Sequence, residues 1–191
     1  IAPTQVIIIP VAQHKEGVLE ANRAVMDRLV KAGFRVKMDD SDQSAGWKFA
    51  EYEMKGIPLR LELGPKDMEK NQCVLVRRDS GEKTFVSLDG IEDTVASMLD
   101  SIHDGLYAKA KKNLEDNTYA CSSLEEVREK MQERGGFAKT MWCGDEACEI
   151  RMKEEAGVTS RCIPFAQEHL GDVCPVCGKP AKHMVYWGVA Y

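Results

Sequence analysis

The spacing of hydrophobic residues changes twice in the first forty positions of the chain. Residues 5–11 form a short run rich in β-branched side chains, which is typical of a strand buried on both faces. Over residues 16–32 the apolar positions recur every three or four residues, which predicts an amphipathic helix ended by Gly33. Residues 34–38 alternate and predict a second strand. Together these elements predict a right-handed βαβ unit.

Three more strands and a long helix are predicted downstream. Residues 57–63 alternate strictly, and residues 73–77 and 84–88 form two further strands joined by a hairpin turn at 79–82. The apolar residues of the first of these strands are expected to share one face: Ile57, Leu59, Leu61 and Leu63. A helical pattern covers residues 91–114. The expected fold class is α/β, with a mixed five-stranded sheet and flanking helices.

A short helix is predicted over residues 47–55, between the second and third strands. We expect Trp47 and Tyr52 to pack against the protein and Lys48 and Glu51 to face solvent. The helix then lies beside the alternating strand that follows it.

The remainder of the chain has a different character. Residues 123–133 predict a highly charged helix, and the apolar and aromatic residues 184–191 predict a paired strand or a docked tail. We place a boundary within residues 103–120. The expected domains are an α/β domain over residues 1–110 and a small α+β domain over residues 111–191.

Composition and charge restrict the classes of partner. The chain is 43% hydrophobic and 30% charged, no apolar run approaches the ~20 residues of a membrane span, and there is no secretory signal. We therefore expect a cytoplasmic protein without a membrane partner. The net charge of −5 argues against broad, sequence-independent nucleic-acid binding but permits a small site for a few unstacked bases. Because the sequence begins with Ile1 rather than Met, we expect a missing partner domain upstream.

Four of the seven cysteines form two close pairs, Cys143 with Cys148 and Cys174 with Cys177. Structural zinc sites commonly take four thiolates in a tetrahedron, supplied by two short loops. The pattern predicts a structural Zn²⁺. A catalytic zinc is not expected, because four thiolates leave no open position on the ion.

Nearby residues leave alternatives to this ligand set. Cys162 is the less favoured alternative to one of these four ligands, whereas His169 and His183 fit positions at the surface or beside the ligands better than metal ligation. A redox pair formed by Cys174 and Cys177 is another alternative, and it requires an exposed thiol of low pKa. The chain has no phosphate-binding loop, dinucleotide fingerprint, nucleophile elbow or His-Glu-x-x-His motif, so we expect no catalytic residues within it.

Residues 46–67, GWKFAEYEMKGIPLRLELGPKD, resemble the anticodon-binding domain of class II aminoacyl-tRNA synthetases. The form Lys-Phe-x-Glu-x-Glu-x-Lys-Gly-x-Pro followed by Leu-Gly-Pro-Lys-Asp is similar to prolyl-tRNA synthetases in particular. The two cysteine pairs and the aromatic C-terminus resemble the extra zinc-binding domain of the archaeal/eukaryote-type enzymes. The resemblance covers the whole chain.

The resemblance implies that the first domain reads the two guanines common to proline anticodons. Phe49 would stack on an exposed base, and Glu53 would accept hydrogen bonds from a guanine edge. Arg60, Lys66 and Asp67 would complete the reading.

The resemblance also implies a parent enzyme that attaches proline to tRNA. ATP and Mg²⁺ would act only in its N-terminal catalytic domain, which is missing from this chain. The parent enzyme would be a homodimer, and the carboxylate of Tyr191 would lie near its active site.

Residue chemistry agrees with this interpretation but does not require it. The i, i+4 spacing puts Phe49 and Glu53 on one helix face, and a carboxylate can accept hydrogen bonds from guanine N1–H and N2–H₂. The same pattern fits Phe49 as a core residue, and Arg60 with Glu62 as an ion pair on a solvated sheet. A zinc-stabilised α/β protein-interaction module without an RNA role is therefore the alternative function.

Overall fold

A computed structural model describes residues 2–190 of the chain. The chain separates into two compact units, unit 1 (Ile1–Tyr107) and unit 2 (Ala108–Tyr191). In chain order the elements of the first part are β1 (Val6–Pro10), α1 (Val18–Lys31), β2 (Val36–Met38), α2 (Ala45–Met54), β3 (Leu59–Leu63), α3 (Pro65–Met68), β4 (Gln72–Arg77), β5 (Lys83–Ser87) and α4 (Ile91–Asp116). They are followed by β6 (Thr118–Ala120), α5 (Leu124–Glu133), β7 (Phe137–Trp142), α6 (Glu146–Ala156), β8 (Thr159–Cys162) and β9 (His183–Gly188).

Unit 1 is built on a five-stranded sheet of order β2-β1-β3-β4-β5. Strand β1 pairs in parallel with both β2 and β3, as expected for strands joined by helical crossovers. Strands β3, β4 and β5 pair antiparallel, the last two through the hairpin expected from the sequence. The predicted α/β class with a mixed five-stranded sheet is confirmed.

The two faces of this sheet are covered differently. On one face α1 and α4 bury an aliphatic core that includes Leu59, Leu61 and Leu63. On the other face α2 packs over β1 and contacts Ile7, Ile9 and Ile57. The prediction that Ile57 shares the face of the leucines is wrong. The residue precedes β3, so the alternation of that strand does not extend to it.

Two predictions for the first turns of α2 are also wrong. Lys48 is only 2% exposed, and its ammonium donates to the Asp39 carbonyl at 2.9 Å and to Gln13 Oε1 at 3.2 Å. Trp47 is 48% exposed instead of packed. The carbonyl and carboxylate of Asp39 provide the partners that a buried ammonium needs. Lys48 is therefore buried and Trp47 is exposed, the opposite of what their polarity predicts.

Unit 2 contains a four-stranded sheet of order β6-β7-β9-β8. Helices α5 and α6 cover one of its faces and bury Trp187 among aliphatic residues. The charged helix predicted from the sequence is α5, and its N-cap, Ser123, accepts a hydrogen bond from the Glu126 amide at 3.1 Å. The predicted C-terminal strand is β9, which pairs with β7 and β8.

Among residues 2–190, no helix combines the length and the apolar character needed to cross a membrane.

Candidate nucleic-acid interface and metal centre

A tight turn between α2 and β3 brings the first candidate residues together. Gly56, at φ 76°, follows the C-cap of α2. Its amide donates to the Glu53 carbonyl at 3.1 Å, and the Ile57 amide donates to the Tyr52 carbonyl at 3.1 Å. These two bonds, with the packing of Ile57 near Tyr52, form a Schellman motif, which glycine favours because it reaches positive φ without strain. The chain reverses at once, and Arg60 lies beside the helix it has just left.

Arg60 is the centre of this group. Its Nη1 donates to Glu53 Oε1 at 2.8 Å, and its Nε donates to Glu62 Oε1 at 2.9 Å. Its Cζ lies 3.9 Å from the centroid of the Phe49 ring, so the guanidinium stacks on that ring. Phe49, Glu53 and Arg60 therefore form one cluster, in which the carboxylates of Glu53 and Glu62 hold the Arg60 guanidinium in place.

Exposure differs sharply within the cluster. The side chain of Arg60 is 8% exposed and that of Glu53 is 58% exposed. Phe49 is partly buried against the isoleucines of β1. In this arrangement the Glu53 carboxylate is the group most accessible to a ligand, and Arg60 orients it from below.

Three further residues of the site were not identified from the sequence as part of it. Glu62 is the second carboxylate on Arg60, and the Arg78 Nε donates to the Glu53 carbonyl at 2.8 Å. Lys83 Nζ lies 5.8 Å from the Phe49 ring centroid and 4.0 Å from Glu62 Oε1. The alternation in β5 indicates which face Lys83 occupies, but its proximity to Phe49 depends on the pairing of β3, β4 and β5.

Lys66 and Asp67 lie at the opposite end of β3, in the short helix α3. Asp67 accepts hydrogen bonds from the Gly64 amide and from Gln72 Nε2, both at 3.3 Å, and Lys66 is exposed. Four residue steps along the strand lead from Arg60 to Gly64, a span of roughly 13 Å. The five candidate residues thus form two groups along one strand rather than one cluster.

The four paired cysteines form a compact cluster in unit 2. Their Sγ atoms all lie within 4.8 Å of one another. Cys143 Sγ is 3.7 Å from Cys148 Sγ and 3.7 Å from Cys177 Sγ. A tetrahedron with Zn–S bonds of about 2.3 Å has S···S edges of about 3.8 Å. The spacing therefore suits a tetrahedral thiolate site, and these four residues can hold a metal ion.

Two backbone loops present the sulfurs. Cys143 follows β7 and Cys148 lies in the first turn of α6, while the second pair lies on a turn closed by Gly178. Gly178 has φ 72°, and its amide donates to the Cys174 carbonyl at 2.9 Å. An ion pair of 3.5 Å between Lys179 Nζ and Asp145 Oδ2 links the two loops.

The thiols of the cluster differ in electrostatic environment. Burial raises the pKa of Cys143 and of Cys148. Burial also acts to raise the pKa of Cys174, but hydrogen bonds from the amides of Val176 and Cys177 outweigh it and lower that pKa to about 7. These amides, aimed at sulfur, are the donors that a thiolate ligand requires.

The remaining cysteines and histidines discussed above are not members of this cluster. Cys162 is exposed and is not one of its four sulfurs. His169 pairs with Asp172 at 3.3 Å, and His183 is exposed. Burial raises the pKa of Cys73 to about 12 and that of Cys121 to about 11. Tyr191, the remaining candidate residue, lies outside the described residues.

Comparison with known proteins agrees with the two units. Residues 5–98 match a family model described as an anticodon binding domain, and residues 124–191 match one described as the C-terminal domain of prolyl-tRNA synthetase. A proline–tRNA ligase of Clostridium botulinum (strain Okra / Type B1) is 59% identical over 191 residues. Proline–tRNA ligase 2 of Bacillus thuringiensis subsp. konkukian (strain 97-27) is 56% identical over 191 residues.

Both alignments include all of this chain and 40% of the relative's length. The resemblance carried by residues 46–67 and by the cysteine pairs is therefore confirmed. The chain belongs to the prolyl-tRNA synthetase family and comprises that family's anticodon-binding and C-terminal domains.

Proposed function

We propose that this chain recognises the anticodon loop of the tRNA for proline and positions that tRNA for an attached catalytic part. Residues 1–110 would read the anticodon and residues 111–191 would form the zinc-binding domain. The observation that carries the proposal is the exposed Glu53 carboxylate, held by Arg60 above Phe49, within a domain of the anticodon-binding family.

Glu53 is suited to the Watson–Crick edge of guanine. One of its oxygens accepts from Arg60, and a carboxylate retains further lone pairs for N1–H and N2–H₂ of the base. Adenine offers a different set of donors and acceptors on that edge, so it cannot pair in the same way. Arg60 holds the Glu53 carboxylate in position through their ion pair, and Phe49, whose ring stacks on Arg60, is proposed to offer the exposed part of its ring to an unstacked base.

Lys66 and Asp67 would read the second guanine. Gly64, the N-cap of their helix, lies roughly 13 Å from Arg60 along β3, which exceeds the spacing of two stacked bases, so we expect both bases to be unstacked and turned outward. Anticodon bases have no pairing partner within the loop, so they can be unstacked and turned outward without breaking base pairs.

The cysteine cluster is proposed to bind structural Zn²⁺ through Cys143, Cys148, Cys174 and Cys177. The spacing of the four sulfurs and the amides aimed at Cys174 fit thiolate ligation. When bound, the ion would cross-link the loop after β7 to the turn at Cys174. Four protein ligands would leave no coordination position for a substrate, so the role is structural.

The parent protein is proposed to be a cytoplasmic homodimer that activates proline with ATP and transfers it to tRNA. Those steps, and the Mg²⁺ they use, belong to the part of the relatives that this chain does not cover. Tyr191 would place its terminal carboxylate near that active site. The chain itself would select and orient the tRNA.

The test is binding of the chain to a proline anticodon stem-loop and to a control loop with both guanines changed to adenine, over a range of salt concentrations. We expect the native loop to bind more tightly by about 1–3 kcal/mol per base. Glu53→Ala should reduce this difference, while Glu51→Ala on the same helix should not. Equal binding of both loops with a steep salt dependence would contradict the proposal, because it would indicate phosphate attraction alone.

A further inference from the structure

An aromatic side chain on the edge strand of unit 1 remains without a packing role. Phe85 lies in β5 and is 66% exposed. Alternation along β5 directs Val86 into the core formed with α1 and α4, so Phe85 projects from the opposite face. That is the face that carries Arg60.

The strand pairing fixes where Phe85 lies relative to the candidate site. Glu62 pairs with Val74, and Val74 pairs with Phe85, so the three residues form one row across the sheet. The neighbouring row contains Arg60, Val76 and Lys83. Rows on one face are roughly 7 Å apart, since they are separated by two residues of each strand.

Lys83 connects Phe85 to the Phe49 group. Its Nζ lies 5.8 Å from the Phe49 ring centroid, and its side chain is 56% exposed. Lys83 and Phe85 are two residues apart in β5 and share a face. The surface therefore runs without interruption from the stacked Phe49 and Arg60 to the exposed Phe85 ring.

Phe85 also lies between the two proposed reading groups. The row beyond it pairs Gln72 with Ser87, and Gln72 donates to Asp67 at 3.3 Å. Along the sheet, the order is the Arg60 row, the Phe85 row, and the row beside Asp67. An RNA strand that reaches both ends of this face crosses the middle row, in which Phe85 lies two strands, or about 10 Å, to one side of Glu62.

We propose that Phe85 is a second stacking platform for an unstacked nucleotide of the same RNA loop, and that Lys83 contacts its phosphate. The proposal rests on the proposed function. An exposed ring on a sheet face stacks on any base, and an adjacent ammonium attracts the backbone. A protein-docking site would need an apolar surround for its aromatic anchor, whereas Phe85 is flanked on its own face by Lys83 and Ser87.

The experiment is titration of the 191-residue chain and its variants with the native stem-loop and the adenine control loop. Phe85→Ala should weaken binding of both loops by about 5-fold to 150-fold and leave their affinity ratio unchanged, because stacking does not depend on base identity. Phe85→Trp should retain affinity, and Phe85→Leu should not, since leucine keeps apolar area but lacks a ring. Phe165→Ala, which removes a fully exposed ring in unit 2, is the matched control.

Lys83→Met should reduce the slope of log affinity against log salt by about one, as expected for one lost phosphate contact. Thermal unfolding of each variant checks the fold, which should not change because both side chains are exposed.

Two results would overturn the inference. The first is that Phe85→Ala or Phe85→Leu binds both loops with wild-type affinity. The second is that these variants change in self-association while their affinity for RNA stays the same. If Glu53→Ala still abolishes discrimination in that case, the proposed function stands without the platform. Conversely, a wild-type chain that does not discriminate the loops but loses affinity in Phe85→Ala would support the platform and contradict guanine reading.

Discussion

The two units of this chain differ in what holds the fold and where the candidate chemistry lies. In unit 1 an aliphatic core on one sheet face supports the fold, and the candidate residues Phe49, Glu53 and Arg60 lie on the opposite face. In unit 2 three of the four candidate metal ligands, Cys143, Cys148 and Cys174, are themselves buried and pack against Trp142 and Val176, while Cys177 is exposed. The exposed Glu53 is thus separable from the folding of unit 1, whereas the buried metal ligands are coupled to the folding of unit 2.

The difference appears again in the polar groups that each unit buries. Unit 1 satisfies Arg60 and Lys48 with protein partners, namely carboxylates, a carbonyl and an amide oxygen. Unit 2 instead gathers four sulfurs, which make poor hydrogen-bond partners for one another. Metal loss should therefore affect unit 2 far more than unit 1.

Removal of the metal is the largest expected effect. Structural zinc contributes about 10–16 kcal/mol of apparent binding free energy in small zinc domains, and much of this is folding free energy. We expect a strong chelator, or Cys174→Ser, to abolish the cooperative unfolding transition of unit 2 and to leave that of unit 1. Hydrogen exchange resolved by segment measures both transitions.

Cys162→Ser is the matched control, because this thiol is exposed and lies outside the cluster. If unit 2 of Cys174→Ser is protected from hydrogen exchange as strongly as in the wild type, the metal assignment is contradicted.

A cavity in the aliphatic core should have the opposite effect, destabilising unit 1 and leaving unit 2 unchanged. Leu61 is fully buried in β3, and Leu61→Ala should lower the free energy of unfolding of unit 1 by about 2–5 kcal/mol. Unit 2 should keep its wild-type stability. Denaturant unfolding followed by segment-resolved exchange tests this, with the half-exposed Val30→Ala as control. Equal loss of stability in both units would show that the comparison between them is wrong.

A smaller effect concerns the buried ion pair beneath α2. Burial acts to raise the pKa of Asp39, but hydrogen bonds from Ser41 and Tyr52 and the charge of Lys48 outweigh it and lower that pKa. A carboxyl group with a lowered folded-state pKa stabilises the fold above its unfolded pKa of about 3.9 and loses this contribution as the pH falls through the folded value.

Asp39→Asn should therefore destabilise unit 1 by about 1–3 kcal/mol at neutral pH. The stability gap between wild type and variant should be constant above about pH 5 and should shrink as the pH falls below about 4. Urea unfolding at a series of pH values measures it. A gap that widens on acidification would contradict the role assigned to the ion pair.

Much of the fold follows from local patterns. The change from period two to period 3.6 located all five strands of the first sheet, because each strand packs at least one face against the core. The glycine after α2 gave the end of that helix, and the two cysteine pairs gave the four sulfurs that cluster. These features depend on residues close together in sequence.

The remaining features depend on contacts between separate elements of the fold. The burial of Lys48 requires the end of β2 to supply Asp39, nine residues earlier. The alternation of β3 is consistent with a solvent-exposed Arg60, but in the structure Phe49 of α2 covers this residue. The position of Phe85 beside this site requires the order and register of three strands. Periodicity shows which face a residue occupies but not which residues of other elements it meets.

The central claim is that Glu53 reads a guanine through the exocyclic amine on its Watson–Crick edge. The most direct measurement replaces each anticodon guanine in turn by inosine, which lacks only that amine, and compares binding to the wild-type chain and to Glu53→Ala. For one of the two positions, we predict that inosine weakens wild-type binding by about 1–3 kcal/mol and has no effect on Glu53→Ala. Glu51→Ala should behave as wild type. An inosine penalty of equal size in the wild type and in Glu53→Ala, at both positions, would contradict the claim.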